Sequence, residues 1–217
     1  MKLLSVNIGK EETLTRPNKT EQTGIFKRPV SGPVQVTALG IPGDFIGDKK
    51  HHGGPDQAIY IYGQGDYDWW QDELGRPLPP GTFGENLTIS DLTSPIIRIG
   101  DRLHIGGVIL EVTAPRIPCG TLAGAMGLPD FAKRFRFAGR PGLYCRVLQA
   151  GVLQAGDAVR LEPYPGPTVT ILDVMRDHYE PDLSAAAIRR FLDAPIAIRM
   201  RHKKEEQWQA LQGGAHG

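Results

Sequence analysis

The chain has 217 residues, with 25 lysines and arginines against 24 aspartates and glutamates, and 40% of its residues are apolar. This composition is typical of a globular protein, and the length suits one sizeable domain with a small appendage. A formal charge of +1 excludes a global attraction to nucleic acid or to an anionic membrane. No apolar run approaches the roughly 18 residues of a membrane helix. Charged residues follow the first apolar residues too soon for a secretory signal. With only two cysteines, we expect reduced thiols and a cytoplasmic location.

Short apolar segments separated by glycine and proline fill the first three quarters of the chain. Alternating or continuous apolar patterns predict strands over residues 34–37, 98–105, 108–112, 143–148 and 158–161. A single helix is predicted over residues 66–74, with Tyr67, Trp70 and Leu74 on one face and Gly75 as its C-terminal cap. Glycine-rich turns between short strands favour an antiparallel sheet closed into a barrel.

The pattern changes at residues 163–167, where three prolines and a glycine predict a linker. Beyond it, Ile171, Val174 and Met175 fall at helical spacing, Ser184 is a predicted N-cap, and Pro195 suits the first turn of a third helix. We therefore predict a β-rich domain over residues 1–165, a three-helix domain over residues 166–212 and a disordered tail over residues 213–217.

The segment Ala-Pro-Arg-Ile-Pro-Cys-Gly-Thr at residues 114–121 directly follows a predicted strand. Pro118 and Gly120 predict a tight turn that exposes Cys119, and a thiolate is both a soft metal ligand and a nucleophile. Residues 112–156 contain six basic residues and one acid, which suggests an anionic ligand, with phosphate the natural candidate. Alternatively, Cys119 is a small core residue and the arginines form a solvated face. Composition and spacing leave both interpretations open.

Three other segments contain candidate binding residues. In residues 51–56, His-His-Gly-Gly-Pro-Asp, adjacent histidines do not converge on one metal in regular structure, but the glycines allow a ligand to approach the backbone. Asn86, after Gly-Glu, can point inward to donate and accept hydrogen bonds, or can belong to a plain turn. Lys27 and Arg28 precede a strand-breaking proline, where a solvated edge is the alternative.

Together and in this order, these segments resemble the MOSC domain, which is also found at the C-terminus of molybdenum cofactor sulfurases, and in particular its YiiM-type subgroup. The matching segments are SVNIGK, GIFKRPVSGPVQV, GDFIGDKKHHGGPDQAIYIY, FGENLTI, IGDRLHIG, LEVTAPRIPCGTL and GRPGLYCRVLQAGVLQAGD. The C-terminal part is similar to the three-helix domain that accompanies this subgroup. Two positions depart from the family's pattern, because Gln57 stands where lysine is usual and Leu143 where an aromatic residue is expected.

The resemblance implies a mainly β, MOSC-type barrel that binds the molybdenum cofactor (molybdopterin), with Cys119 contributing a thiolate to molybdenum. It further implies an oxidoreductase that reduces N-hydroxylated compounds such as hydroxylaminopurine bases, with a flavoprotein reductase as electron donor. The residues implied for the pterin, its phosphate or the substrate are Lys27, Arg28, His52, Asn86, Arg116 and Arg140. His52 is also the implied proton donor, since a histidine can exchange protons at neutral pH.

Two other functions are compatible with the same residues. One is a carrier or sensor that binds the molybdenum cofactor without turnover, because the same cations and thiolate would hold a passenger. The other is a metal-free hydrolase that uses Cys119 with His52, for which no third orienting residue is evident. No nucleic-acid or membrane partner is expected, and the assembly state is left open between a monomer and a homodimer.

Overall fold

A computed structural model describes residues 1–48 and 53–214. Within these residues the strands are β1 (Leu3–Ile8), β2 (Glu12–Arg16), β3 (Lys19–Thr23), β4 (Arg28–Val30), β5 (Val34–Val36), β6 (Ile59–Gly63), β7 (Leu87–Ile89), β8 (Arg102–Ile105), β9 (Val108–Ala114), β10 (Leu143–Gln149), β11 (Gly151–Leu153) and β12 (Val159–Glu162). The α-helices are α1 (Gln64–Leu74), α2 (Gly120–Met126), α3 (Phe131–Ala138), α4 (Ile171–Tyr179), α5 (Ala185–Asp193) and α6 (Ile198–Gly214). Short 3-10 helices lie at Pro55–Gln57 and Ser94–Ile96.

Eight strands form one mixed sheet in the order β12-β8-β9-β10-β6-β7-β1-β4, and two ribbons pair β11 with β5 and β2 with β3. In the large sheet only β6 and β7 pair in parallel, among the strands described. β1 lies against the start of β12 through a bridge between Lys2 and Ala158. In addition, the Leu3 backbone donates a hydrogen bond to the Asp157 carbonyl oxygen and accepts one from the Gly156 backbone. The mainly β class with C-terminal helices is confirmed. The sheet is curled and open, however, rather than the closed barrel predicted from the turn pattern.

Two buried apolar clusters lie on opposite faces of this sheet, because successive side chains of a strand point to opposite sides. In β6, Ile59 and Ile61 belong to an aliphatic cluster, whereas Tyr60 and Tyr62 belong to an aromatic one. Trp70 of α1 donates a hydrogen bond from its indole nitrogen to the Tyr62 hydroxyl at 2.9 Å. Helices α1 and α3 thus cover the aromatic face.

Helix α1 confirms the predicted helix, and its end is set by Gly75, which adopts the left-handed conformation at φ 61°. A residue with a Cβ is disfavoured there, so the helix ends at Leu74. The predicted face is buried at Tyr67 and Trp70. Asp66, which the pattern did not place in the interior, is buried with them.

The three C-terminal helices pack on the aliphatic cluster, which includes Val174, Phe191 and Ile196. The predicted N-cap of the second of these helices is observed, since the Ser184 hydroxyl accepts a hydrogen bond from the Ala187 backbone at 3.3 Å. Helix α6 begins at Ile198, three residues after the proline predicted to open it, and continues to Gly214. No helix in the described parts of the chain is long and apolar enough to cross a membrane.

Candidate functional site

A cleft of about 560 Å³ opens beside the end of β9 and contains Cys119. Its lining also includes three other residues predicted from the sequence, Lys27, Asn86 and Arg116. Of the remaining predicted site residues, Arg28 and Arg140 lie outside the lining. His52 lies outside the described residues.

Cys119 reaches the cleft on the segment that connects β9 to α2. The chain leaves the sheet at Ala114, passes Pro115 and Pro118 without regular structure, and places Cys119 immediately before the first residue of α2. Its side chain is half-buried rather than fully exposed. The predicted turn therefore presents the thiol to the cleft as the N-terminal flank of a short helix that the sequence pattern did not reveal.

Arg116 is a buried cation of this site. It is 5% exposed, its Nη1 atom donates a hydrogen bond to the Phe83 carbonyl oxygen, and its guanidinium lies 5.2 Å from the centre of the Tyr60 ring. Burial disfavours the charge, but Tyr144, Tyr60 and a hydrogen-bonding contact with Cys119 outweigh it and raise the pKa of Arg116. The guanidinium therefore stays charged beside the thiol, an arrangement that favours the thiolate form of a cysteine.

Lys27 belongs to a buried network whose centre is Asp44, a residue that the sequence reasoning did not consider. The two side chains are each 8% exposed and form an ion pair, with the Lys27 ammonium 2.5 Å from Asp44 Oδ2. Asp44 also accepts hydrogen bonds from the Gly9 backbone at 2.8 Å and from Asn86 Nδ2 at 2.9 Å. Asn86 Oδ1 in turn accepts from the Tyr60 backbone at 3.1 Å. Asn86 thus points inward, where it both donates and accepts.

Glu85 fixes the turn that carries Asn86 and the carbonyl bound by Arg116. It is fully buried and accepts hydrogen bonds from the Tyr67 hydroxyl at 2.6 Å, the Gly81 backbone at 2.7 Å and the Thr88 hydroxyl at 2.9 Å. Burial raises the pKa of Glu85, although these hydrogen bonds oppose the shift. Its carboxyl group therefore stabilises the turn that borders the cleft.

The two arginines outside the cleft have acidic partners of their own. Arg28 is exposed on β4 and pairs with Glu12 at 2.5 Å. Arg140 pairs at 2.9 Å with Asp66, whose side chain is fully buried, and lies 5.1 Å from the Trp69 ring centre. Burial raises the pKa of Asp66, while hydrogen bonds from the Ser94 backbone and from Arg140 oppose the shift. Both arginines are thus ion-paired outside the cleft lining, and the cofactor contacts that the family resemblance implied for them stay a prediction.

The local excess of basic residues on either side of Cys119 is also largely paired elsewhere. Arg134, Arg136 and Arg146 form ion pairs with Glu73, Glu180 and Asp56, respectively. Of the six basic residues counted over 112–156, Arg116 is the one that lines the cleft as described. The number of basic residues in this segment suggested a larger cationic patch, because the acidic residues that pair with them lie far away in the sequence.

Several residues that line the cleft gave no sequence signal as site residues. They are Arg16, Lys19 and Glu21 of the β2–β3 ribbon, Asp44, Gln57, Tyr60, Tyr144 and His178 of α4. The sequence marked Gln57 as a departure from the family pattern, but it gave no indication that this residue lines a cleft. His178 shows that a C-terminal helix reaches the rim of the cleft.

The polar atoms of the cleft show whether the implied cofactor fits. Three buried side-chain atoms that line it make no hydrogen bond within the described structure, namely Arg16 Nε, Gln57 Oε1 and Arg116 Nε. Leaving such groups unsatisfied is costly, so two donors and one acceptor are available for a ligand. A pterin with a terminal phosphate offers both ring N–H donors and anionic acceptors, and the thiol of Cys119 suits a soft metal. The residues present fit the molybdenum cofactor.

Comparisons with known proteins show which family the chain resembles. The sequence profile of the MOSC domain matches residues 48–160. The protein YflK of Bacillus subtilis (strain 168) is 34% identical over 190 residues, which cover 88% of this chain and 86% of that protein. A protein named "Reductase" from Gibberella moniliformis is 35% identical over 159 residues, 71% of this chain but only 28% of that longer protein. The crystal structure of YiiM from Geobacillus stearothermophilus superposes with a TM-score of 0.77 at 30% identity, covering 95% of this chain and 98% of the other.

Proposed function

This chain belongs to the MOSC domain family, and from that premise we propose that it binds the molybdenum cofactor in the cleft and reduces N-hydroxylated compounds such as hydroxylaminopurine bases. A flavoprotein reductase is the proposed electron donor. The observation that carries the proposal is the half-buried Cys119 thiol beside the buried Arg116 guanidinium, in a cleft with unsatisfied hydrogen-bonding atoms. Family membership and a relative named as a reductase support a molybdenum-cofactor-related oxidoreductase.

Different residues of the cleft have different proposed roles in cofactor binding. Cys119 provides the thiolate for molybdenum, and Arg116 stabilises that thiolate by its charge. Asn86, held by Asp44 and the Tyr60 backbone, presents its amide to the pterin or the substrate. When bound, the cofactor supplies the two-electron redox chemistry, and the protein supplies ligation, orientation and a shielded site.

The overall conversion consumes two electrons and two protons for each N–OH group, breaks the N–O bond and yields an amine and water. One proton has to reach the departing oxygen and the other the nitrogen of the product amine. His52 is proposed for this role, since a histidine can donate a proton at neutral pH. The buried tyrosines Tyr60 and Tyr144 lie on the cleft wall and limit access of bulk water.

The proposal is tested by producing the protein in a host that makes the molybdenum cofactor and measuring molybdenum and pterin per chain. Cys119→Ala is compared with Cys145→Ala, a matched control, because Cys145 is fully buried in the aliphatic cluster away from the cleft. We expect stoichiometric molybdenum in the wild type and in Cys145→Ala, and its loss in Cys119→Ala.

The loaded protein is then incubated with hydroxylaminopurine and a reduced artificial electron donor. Formation of the aminopurine that depends on Cys119 supports the reductase. Cofactor binding without turnover of any hydroxylamine would favour a carrier, and an active Cys119→Ala variant would refute the mechanism.

A further inference from the structure

The β2–β3 ribbon places Arg16 against the helix that follows Cys119. Gly120 and Gly124 lie one helical turn apart on the same face of α2, and Arg16 occupies the space that their missing side chains leave. A Cβ atom on Gly120 would lie 2.2 Å from Arg16 Nη1, and one on Gly124 would lie 2.7 Å from Arg16 Cδ. This glycine notch, formed by Gly120 and Gly124, brings the guanidinium to the residue next to Cys119.

A second set of contacts holds the Arg16 guanidinium in this position. Its Nη2 atom donates to Glu21 Oε1 at 2.7 Å, and the same oxygen accepts a hydrogen bond from the Thr121 hydroxyl of α2 at 2.8 Å. Lys19 binds the other carboxylate oxygen of Glu21 at 2.5 Å. Arg16 and Lys19 therefore share the carboxylate of Glu21, and the three side chains together carry a net positive charge.

One donor of Arg16 has no acceptor. Its Nε atom is buried and makes no hydrogen bond within the described structure, although the residue lines the same cleft as Cys119. A buried donor without a partner costs free energy, which an oxyanion of a bound ligand would recover through a charge-assisted hydrogen bond. The planar fork of an arginine suits phosphate and carboxylate in particular.

We propose that Arg16, seated in the glycine notch and clamped by Glu21, binds an oxyanion of the ligand in the cleft. The source of that oxyanion rests on the proposed function, since the terminal phosphate of the cofactor and an anionic group of the substrate offer the same chemistry. Neither Arg16 nor the notch is among the residues that the sequence resemblance implied.

The first test uses protein purified from a host that cannot make the molybdenum cofactor, titrated with pyrophosphate in a calorimeter. Arg16→Gln removes the charge, and Arg160→Gln is the matched control, because Arg160 is exposed and pairs with Glu162 on β12. We expect the wild type and Arg160→Gln to bind pyrophosphate alike and Arg16→Gln to bind it at least tenfold more weakly. A wild type that does not bind pyrophosphate, or an Arg16→Gln variant that binds it as the wild type does, would overturn the proposal.

Gly124→Ala separates the position of Arg16 from the stability of the fold. The added methyl group displaces Arg16 from the notch without changing any charge, and alanine favours a helix more than glycine does. We expect a variant that still unfolds in one cooperative transition but binds pyrophosphate more weakly than the wild type. Unchanged affinity in Gly124→Ala would contradict the role of the notch.

Protein from a cofactor-producing host identifies the source of the oxyanion. A lower pterin content per chain in Arg16→Gln than in the wild type assigns the oxyanion to the cofactor. Unchanged pterin with a raised KM for a hydroxylaminopurine nucleotide, but not for the free base, assigns it to the substrate. Binding of pyrophosphate through Arg16 by a chain that never acquires molybdenum would refute the proposed function alone. If the enzyme binds the cofactor and is active, but Arg16→Gln changes neither the pterin content nor the KM for the nucleotide, this inference alone would be refuted.

Discussion

Replacement of Asp44 by asparagine tests the buried network that holds Lys27 in the cleft. The substituted side chain would keep the volume of the original and one oxygen for the Gly9 backbone, but it would lack the negative charge that faces the Lys27 ammonium. Both side chains are only 8% exposed, so water cannot take over the role of the carboxylate. The variant therefore has a buried cation without a counter-charge.

The size of the effect follows from the burial of the pair. Removing one partner of a buried ion pair costs about 3–5 kcal/mol, because the other charge is left uncompensated. For a chain of this length that corresponds to a fall of roughly 6–20 °C in the unfolding temperature. Replacing both residues, as Lys27→Met with Asp44→Asn, removes both charges, so we expect most of the loss to be recovered.

The sign of the pH dependence gives an independent check. Burial lowers the pKa of Lys27, and Asp44 is the main group that opposes this shift. Without the carboxylate the pKa falls further, so the folded protein binds fewer protons than the unfolded chain until the pH reaches about 10.4, the ordinary value for lysine. Stability rises with pH wherever the unfolded state binds more protons. The loss of stability in Asp44→Asn relative to the wild type therefore becomes smaller as the pH is raised from neutrality towards about 10.4.

Urea unfolding of the wild type, both single variants and the double variant, at neutral and alkaline pH, measures these quantities. A loss of less than about 1 kcal/mol in Asp44→Asn, in the range of exposed ion pairs, would refute the reasoning. So would a deficit that does not change with pH. The same variant retains an uncompensated Lys27 in the cleft, and we expect it to bind pyrophosphate more tightly than the wild type.

Three further substitutions test structural contacts, two at buried ion pairs and one at a close approach of two backbone segments. Arg140→Gln leaves the buried Asp66 unpaired and should destabilise the fold by about 3 kcal/mol. We expect a smaller loss of stability at pH 5 than at pH 8, because protonation of Asp66 removes the unpaired charge. The molybdenum content should be unchanged at a temperature where the variant is folded. Lys204→Met leaves the buried Asp177 without its partner at 2.6 Å and should cost about 3–5 kcal/mol in urea unfolding, which Asp177→Leu in the same chain should largely restore. Gly24→Ala would place a Cβ atom 1.9 Å from a backbone carbonyl oxygen. We expect it to yield little folded protein in circular dichroism, and a stable, pterin-binding Gly24→Ala variant would contradict the packing described.

Local patterns predicted the elements that local interactions determine. Helix α1 and its glycine cap followed from spacing and backbone preference, and the pairing of β8 with β9 across Gly106 follows the predicted alternation. Helices α2 and α3 were missed, although both are well defined. In α2 two of seven residues are glycines, which lowers helix propensity. Its helical form is supported by tertiary packing of residues such as Leu122, and by the arginine that lies in its notch.

The charged residues of the site show why sequence proximity is a poor guide to function. Arg140 lies close to Cys119 in the sequence, yet its partner Asp66 is 74 residues away. Arg16 lies far from Cys119 in the sequence, yet it reaches the cleft through a ribbon that packs on α2. A long side chain takes the partner that the fold brings near, and that partner cannot be read from composition.

The resemblance implied that Cys119 and four cations belong to one site, whereas the structure brings Cys119 and two of those cations, Lys27 and Arg116, to the cleft. The matching segments contain glycines at which backbones cross in direct contact, since a Cβ on Gly9 would lie 2.1 Å from the Gly24 carbonyl oxygen. Such crossings admit no side chain, so they fix the relative position of the backbone segments that cross there. Arginine side chains extend several ångströms beyond that frame and can turn towards the nearest carboxylate. Motifs of this kind therefore predict the frame and the backbone-anchored thiol, whereas the position of Arg16 in the cleft lining requires the structure.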